Sequence, residues 1–513
     1  MTLVTEALVL AAVGGVTTLL ALFLQQYIHF RRLELAIPGP ASLPLLGNTL
    51  DFVNVTPDTA LKTIRRLVGG RSELTRFSLM NHLVVFVNDA EAIDCVARRP
   101  EFQTKARFVY HLLDDPRSLL QLGGAEWRAR RKALEPGFHK KVLDSYMDIF
   151  HGEAKGFADS LAVGEPVDVA GPLREATSRN FLRTSGRPDL EGDVKPFVDF
   201  FQTFLFAVNR RAFNPLLWSK RLFEMTPLGR NVAKMREALH DLIREGLAAK
   251  HAEVKQPGGK GRQSGRARKT LTDILADLHD KGEILEDDVV DDLKTFFGAN
   301  VETTVATVSW ALKLLSMHPE VQERLFAEVT AVLGDRDVTV EDLPKMKYLD
   351  CVIKETMRMF PPLPFVGRQC VRETALCGHV LPANSSVMLN ILAVHWDPRH
   401  WPEPHVFEPG RFLPEHSRGR PRGAHIPFSV GSRNCIGGKY AMMVVATLLA
   451  ATVRAHRVLP VGDHEDVQSL VDNMAFDLTS RLVGGIKVVF QPRGSDSGGP
   501  AGRARRAARA IGA

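Results

Sequence analysis

The chain has 513 residues, 45% of them hydrophobic and 24% charged, enough to bury a large core. A formal charge of +7 is modest at this length, and the basic residues are scattered, which argues against nucleic acid as a partner. Five cysteines (Cys95, Cys351, Cys370, Cys377 and Cys435) form no CxxC pair and no zinc-ligand spacing; their odd number fits free thiols in a reducing compartment better than a disulfide framework.

At the amino terminus, Ala7 to Leu24 is uncharged and mostly apolar, and the uncharged stretch continues through Ile28. That length is sufficient for a helix to cross a bilayer. Glu6 precedes the run while Arg31 and Arg32 follow it, so the positive-inside bias leaves the rest of the chain in the cytosol. A cleaved signal peptide is the alternative, but the run lacks a basic leader and is long for that purpose. Residues 1–30 are therefore read as an uncleaved signal anchor. Residues 31–50 form a basic and proline-rich hinge, in which Pro38, Pro40 and Pro44 enforce an extended path.

From residue 51 to 493 the pattern predicts one mainly α domain with a small β subdomain. His82 to Val87 has the character of a strand. Trp127 and Arg131, four apart, share a helix face. Residues 255–269 hold a segment with nothing apolar to bury, predicted as a flexible solvated loop. A long helix is expected from about Glu286 to about Met317, stopped before Pro319, and a second from Met346 to Phe360, stopped by Pro361 and Pro362. Residues 494–513 are expected to be a disordered basic tail, whose Arg503, Arg505, Arg506 and Arg509 are solvated or touch anionic lipid.

Cys435 lies in Pro427-Phe428-Ser429-Val430-Gly431-Ser432-Arg433-Asn434-Cys435-Ile436-Gly437-Gly438, which runs into an apolar helical stretch. A thiol at a helix N-terminus meets backbone N–H groups that favour its ionised form. Phe428, Gly431, Arg433, Cys435 and Gly437 match the fixed positions of the haem-binding signature of the cytochrome P450 superfamily, which the chain resembles over nearly its whole length. The resemblance implies that fold, preceded here by one transmembrane helix, with haem b held through the Cys435 thiolate, a ligand that favours O–O cleavage. Phe428 would shield the sulfur, Arg433 would meet a haem propionate, and Gly431 with Gly437 would allow a tight turn.

Other positions follow by the same resemblance. Trp127 and Arg131 match a WxxxR helix that contacts propionate, and Arg368 stands where relatives often place a third such contact. Glu355 and Arg358 match the ExxR motif, whose buried network Arg411 would close; Gly410 replaces the acidic residue usual beside it. Thr303 would hydrogen-bond dioxygen, with Glu302 helping to deliver protons. Asn300 departs from the glycine usual in that helix, although Gly298 is nearby to supply flexibility.

The segments Trp127 to His139, Asn214 to Trp218 and Pro427 to Ile436 look most like the animal clan that includes fatty-acid omega-hydroxylases. In many of these a glutamate forms an ester to the haem; Ala299 appears at that position, so haem without the covalent link is expected. Lys294 and Val301 also differ from the common Asp and His. Together these features predict a microsomal monooxygenase: single-pass in the endoplasmic reticulum membrane, catalytic domain cytosolic, acting on a lipophilic substrate such as a fatty acid, terpenoid, steroid-like molecule or xenobiotic. The chain contains no flavin or nicotinamide fingerprint. Electrons would come from NADPH-cytochrome P450 reductase, with cytochrome b5 a second candidate donor. Arg128, Arg130, Lys132 and Lys439 are candidates for its docking face, or simply a solvated one. Two other readings stay open: a haem-thiolate isomerase or dehydratase of peroxides, and a non-catalytic haem- or lipid-binding protein.

Overall fold

An apolar helix begins the structure: α1, Thr2–Ala36, within which an 18-residue stretch of Leu8–Ala36 has a mean hydropathy of 2.1 and no buried part. Among the described residues it is the one helix long and apolar enough to cross a membrane. The structure is a computed structural model describing residues 2–493, except 70–71, 81, 187–193, 213, 256–268 and 463–465. The flexible loop expected within 255–269 and the tail of 494–513 thus fall almost wholly outside the described residues.

The helix continues past the boundary drawn at residue 30, and Glu34 is the reason. Its carboxylate is fully buried, accepts from Arg31 (2.6 Å), Ser78 (2.6 Å) and Ser42 (3.2 Å), and stands 3.6 Å from Arg76. Arg76 in turn donates to the backbone oxygens of Glu34 (2.9 Å) and Pro40 (3.1 Å). This clamp keeps Arg31 to Ala36 helical, so the stiff extended connection starts at Ile37.

Arg76 belongs to strand β1 (Leu74–Leu79), which pairs antiparallel with β2 (His82–Val87). Two later strands, β3 (Phe365–Gln369) and β4 (Ser386–Asn390), complete a sheet of order β1-β2-β4-β3, with β2 and β4 parallel and β4 and β3 antiparallel. The expected strand at His82 to Val87 is thus present with those bounds.

The site is framed by six helices: α2 (Gly124–Leu134), α3 (Ala170–Ser185), α4 (Lys195–Ala212), α5 (Glu286–Met317), α6 (Lys347–Met359) and α7 (Gly438–Ala455). The long helix matches the predicted limits, and α6 is one residue shorter at each end than expected. Three acids, Glu286, Asp287 and Asp288, occupy the first turn of α5, where the helix dipole favours negative charge. Its C-terminal half is buried all round, and Trp310 stacks on Phe360 with ring centres 4.0 Å apart. A helix buried on every face can be apolar on every face, which explains the weak amphipathic signal of this segment.

Replacing Glu34 by Ala should cost about 3 kcal/mol, because Arg76 would remain buried without its carboxylate. A denaturant midpoint unchanged from wild type would contradict this role.

Candidate active site

The Cys435 loop is shaped by hydrogen bonds along its own backbone. Cys435 N–H donates to Phe428 O (2.9 Å), Asn434 N–H to Gly431 O (3.1 Å) and Ser429 N–H to Ile426 O (2.9 Å). Gly431 has φ +79°, and a Cβ there would lie 2.5 Å from Ala97 O, so a side chain is barred on both counts. Gly437 is different: its φ is −86°, and a Cβ would meet only the Cys435 sulfur at 3.9 Å. The protein's own packing therefore demands glycine at 431, not at 437. Phe428 packs its ring against Gly438, where a Cβ would come within 3.4 Å.

Cys435 lies deep in the molecule yet is exposed, because its sulfur faces an internal cavity of about 720 Å³. Burial pushes its pKa up, opposing the expected lowering; the Gly437 N–H and the charges of Arg131 and Lys105 pull the other way. A helix N-terminus alone does not outweigh desolvation here.

Three cations are buried together here: Lys105 (8% exposed) and Arg433 (6%) line the cavity, and Arg368 (1%) is close enough to lower the pKa of both. Arg433 donates to Leu122 O and Leu120 O, both at 2.9 Å, and lies 4.4 Å from the centre of the Trp127 ring. Arg368 donates to Gly367 O (3.2 Å) and Ser429 Oγ (3.3 Å), while Lys105 lies over the Tyr110 ring at 5.1 Å. No carboxylate among the described residues pairs with any of the three. Burial, then repulsion from Arg368 and Arg433, holds Lys105 well below the ordinary lysine range, and burial with Arg368 lowers Arg433 to about 9. Buried cations without counter-ions are costly, so this arrangement suits a bound group that brings carboxylates.

The donor set at the sulfur agrees. Among the described residues no group of three or more His, Cys, Asp or Glu is placed to hold a bare metal ion, so Cys435 has no second such side chain set beside it. A thiolate ligand, a large cavity and buried cations for two propionates fit haem.

Of the expected contacts, Arg433, Arg368 and Trp127 converge here. Arg131 borders the same cavity and is near enough to Arg433 to lower its pKa; its guanidinium donates to Asn434 O (3.0 Å) and Asn434 Oδ1 (3.2 Å) and pairs with Glu135 (3.1 Å), tying α2 to the Cys435 loop. Lys105 was not singled out in the sequence; only folding places this lysine between helical and extended segments inside the cavity.

Across the cavity, α5 presents Ala299, Asn300, Glu302 and Thr303. Thr303 Oγ1 donates to Ala299 O at 2.7 Å. Glu302 is 5% exposed and its carboxylate pairs with Arg174 of α3 at 3.1 Å. The Asn300 amide donates to Thr177 O of the same neighbour at 3.4 Å. Gly298 packs against Phe201, whose ring would be 2.1 Å from a Cβ, so its glycine serves close helix packing. The helix stays regular through this stretch.

Behind the loop, Glu355 and Arg358 form a fully buried bidentate pair at 2.7 and 2.8 Å. Arg411 Nε approaches the same carboxylate at 3.4 Å but makes no hydrogen bond from that atom; its Nη2 donates to Glu403 O. Arg358 also donates to His395 O and Pro404 O. Gly410 leaves room for Glu408, whose side chain turns back onto the Gly410 N–H at 2.8 Å. His395 Nε2 accepts from Ile426 N–H at 2.8 Å, linking this network to the start of the Cys435 loop.

One expected surface residue is internal. Arg130 is 5% exposed and pairs with Asp292 at 2.5 Å, whereas Arg128, Lys132 and Lys439 are exposed. The sequence around Trp127, with basic residues at 128, 130, 131 and 132, gave no means of distinguishing these arginines.

The family model described as Cytochrome P450 matches residues 37–479. The chain is 32% identical over 435 residues, 82% of this chain and 84% of the relative, to "Probable cytochrome P450 4ac1" of Drosophila melanogaster. It is 29% identical over 517 residues to "Cytochrome P450 4V2" of Rattus norvegicus, covering 94% of this chain and 95% of that protein. A solved structure titled "Retinoic acid bound cyanobacterial CYP120A1" has the same fold, with TM-score 0.73 and 23% identity over 89% of this chain and 99% of that one.

Replacing Lys105 by Met should raise the denaturation midpoint of haem-free protein while speeding haem transfer to a competing apoprotein by about tenfold, the effect of one charge-assisted hydrogen bond. Slower or unchanged transfer would show that Lys105 does not serve the carboxylate edge.

Proposed function

This chain belongs to the cytochrome P450 family, and on that premise we propose that it is a microsomal monooxygenase acting on a lipophilic substrate with electrons from NADPH-cytochrome P450 reductase. The observation that carries the reading is the shared cavity: Cys435, Thr303 and the buried cations Lys105 and Arg433 all border it. When bound, haem supplies the activation of dioxygen and insertion of one oxygen atom into a C–H or C=C bond. The protein supplies the remaining parts.

Cys435 binds as the thiolate. Lys105, Arg368 and Arg433 receive the carboxylate edge, and Arg131, through Asn434, holds the loop in place. Thr303 rotates its hydroxyl from Ala299 O toward the cavity, where the proton is needed. Glu302 is the proton source on the neighbouring position, resupplied from solvent beside the partly exposed Arg174. Lipophilic walls from Phe108, Phe204, Phe365 and Phe476 exclude water from the substrate.

Ala299 has no carboxylate to form an ester, which supports haem held without a covalent bond. Haem should therefore pass fully into acidified organic solvent; haem retained on the denatured chain would refute this. The apolar α1 supports an endoplasmic reticulum anchor with the catalytic domain cytosolic, to be checked by membrane fractionation and protease protection. Exposed Arg128, Lys132 and Lys439 support docking of an acidic reductase, with cytochrome b5 a second electron donor. High salt should then slow reductase-driven turnover without weakening substrate binding.

The decisive measurement combines carbon monoxide difference spectra with turnover in the presence of reductase and NADPH. Wild type should give the thiolate spectrum and oxidised product. Cys435→Ala should lose both, and Thr303→Ala should keep the spectrum but form product about a hundredfold more slowly. Peroxide consumed without NADPH would instead identify an isomerase, and no consumption of either a binding protein.

A further inference from the structure

The cavity is apolar over most of its wall, but one corner is polar. Asp115, Asn209, Lys294 and Thr295 border it there, and Asp115 and Lys294 are only 4% and 5% exposed. Asp115 comes from the segment before α2; Lys294 and Thr295 come from α5, about two turns before the catalytic Thr303. Thr295 Oγ1 and Gln121 Nε2 each donate to one oxygen of the Asp115 carboxylate. Lys294 Nζ donates to Asp291 Oδ1 (3.1 Å) and Asp114 O (3.4 Å).

The corner is not saturated. A carboxylate has about four acceptor positions, and Asp115 uses two; an ammonium has three donors, and Lys294 uses two. Burial raises the Asp115 pKa to about 6, against the lowering by Lys294, Thr295 and Gln121, so the carboxylate is mostly ionised at neutral pH. The wider surroundings are largely matched: Asp114 pairs with Arg236 and Lys220, while Asp292 pairs with Arg130. By that count Asp115 keeps about two acceptor positions and Lys294 one donor, and both residues border the cavity.

We propose that this corner is a head-group subsite for a hydroxyl, so that the preferred substrate is a lipophilic alcohol donating to Asp115, accepting from Lys294, and extending its apolar body toward Cys435. An alcohol is complementary because one oxygen both donates and accepts. A carboxylate could use Lys294 only and would stand beside the Asp115 carboxylate; an ether could accept but not donate; an alkane would do neither. The inference rests on the monooxygenase reading for the direction in which the substrate points. Thr295 and Thr303 are eight residues apart, about 12 Å at the usual helical rise. Oxidation is thereby directed to a carbon remote from the hydroxyl.

The test uses haem-loaded full-length protein and ligands of one chain length: a straight-chain alkane, its primary alcohol, the methyl ether of that alcohol and the matching carboxylic acid. Binding is read from spin-state spectra. Wild type should bind the alcohol at least about tenfold more tightly than the ether, acid or alkane, since each leaves a buried polar group mispaired. In Asp115→Asn, with the carbon monoxide spectrum intact, the alcohol-to-acid ratio should narrow to about threefold or less, because the charge that repels the acid is gone. Equal or tighter binding of the acid by wild type overturns the proposal. So does the absence of any spectral shift across the panel, or a ratio unchanged in a folded variant. If the variant does not fold, the wild-type ranking decides alone. Retained reductase-driven turnover would then separate failure of this inference from failure of the monooxygenase reading.

Discussion

A sulfur anion must be maintained where water is scarce, and that requirement organises the catalytic end of the protein. Burial alone drives the Cys435 thiol toward its neutral form. Three features oppose it: the Gly437 N–H at the mouth of α7, and the charges of Arg131 and Lys105. Iron bonding adds the decisive term, because a coordinating thiol is deprotonated outright. The haem-free protein thus holds a disfavoured anion site beside a disfavoured cluster of cations, and one bound group relieves both. Cofactor binding and stability are coupled in this way, as mass action requires of any ligand selective for the folded state.

The loop that carries the sulfur has little regular structure, so its position must be imposed from behind. Glu355 and Arg358 do this through a bidentate pair with no exposure, from which Arg358 reaches His395 O and Pro404 O. His395 continues the connection: its Nε2 accepts from Ile426, and its Nδ1 lies 3.2 Å from Met357 O. Since a backbone N–H can only donate, Nε2 is the acceptor and Nδ1 carries the proton, which fixes a neutral ring. Burial favours the same state, holding His395 well below the usual histidine range. The route from α6 to the Cys435 loop is therefore specified by side-chain chemistry, while the α helices supply the rigid frame.

The sequence was most informative where local chemistry and global position coincide. Cys435 and its glycines, Glu355 with Arg358, and the limits of α5 were legible because each leaves a mark over a few residues: a turn, a three-residue spacing, a proline stop. Charges whose partners lie far away in sequence were not. Arg130 looked like its neighbours Arg128 and Lys132, yet it faces Asp292 more than a hundred residues later. Glu302 gave no hint of Arg174, nor Lys105 of Arg368 and Arg433. The helical extension of α1 through Ala36 was hidden for the same reason, since Glu34 finds Ser78 and Arg76 only in the folded chain. The expected hinge began at the basic pair Arg31 and Arg32, whereas the helix runs on to Ala36, just short of the first proline, Pro38.

Helix α5 is where these separate constraints meet. Its first turns hold Asp288 and Asp292 against Arg117 and Arg130, its middle borders the cavity from Lys294 to Thr307, and its last turns are locked in the core around Trp310. A helix pinned at both ends transmits its regular rise as a fixed length, so the polar corner and the Thr303 end of the cavity cannot drift independently. Glycine at 298 reinforces this by admitting Phe201 against the helix, and Asn300 adds a bond to α3 instead of loosening the helix as glycine could. Lys294, Ala299, Asn300 and Val301, four of the residues that depart from the family's usual pattern, lie on that rigid element.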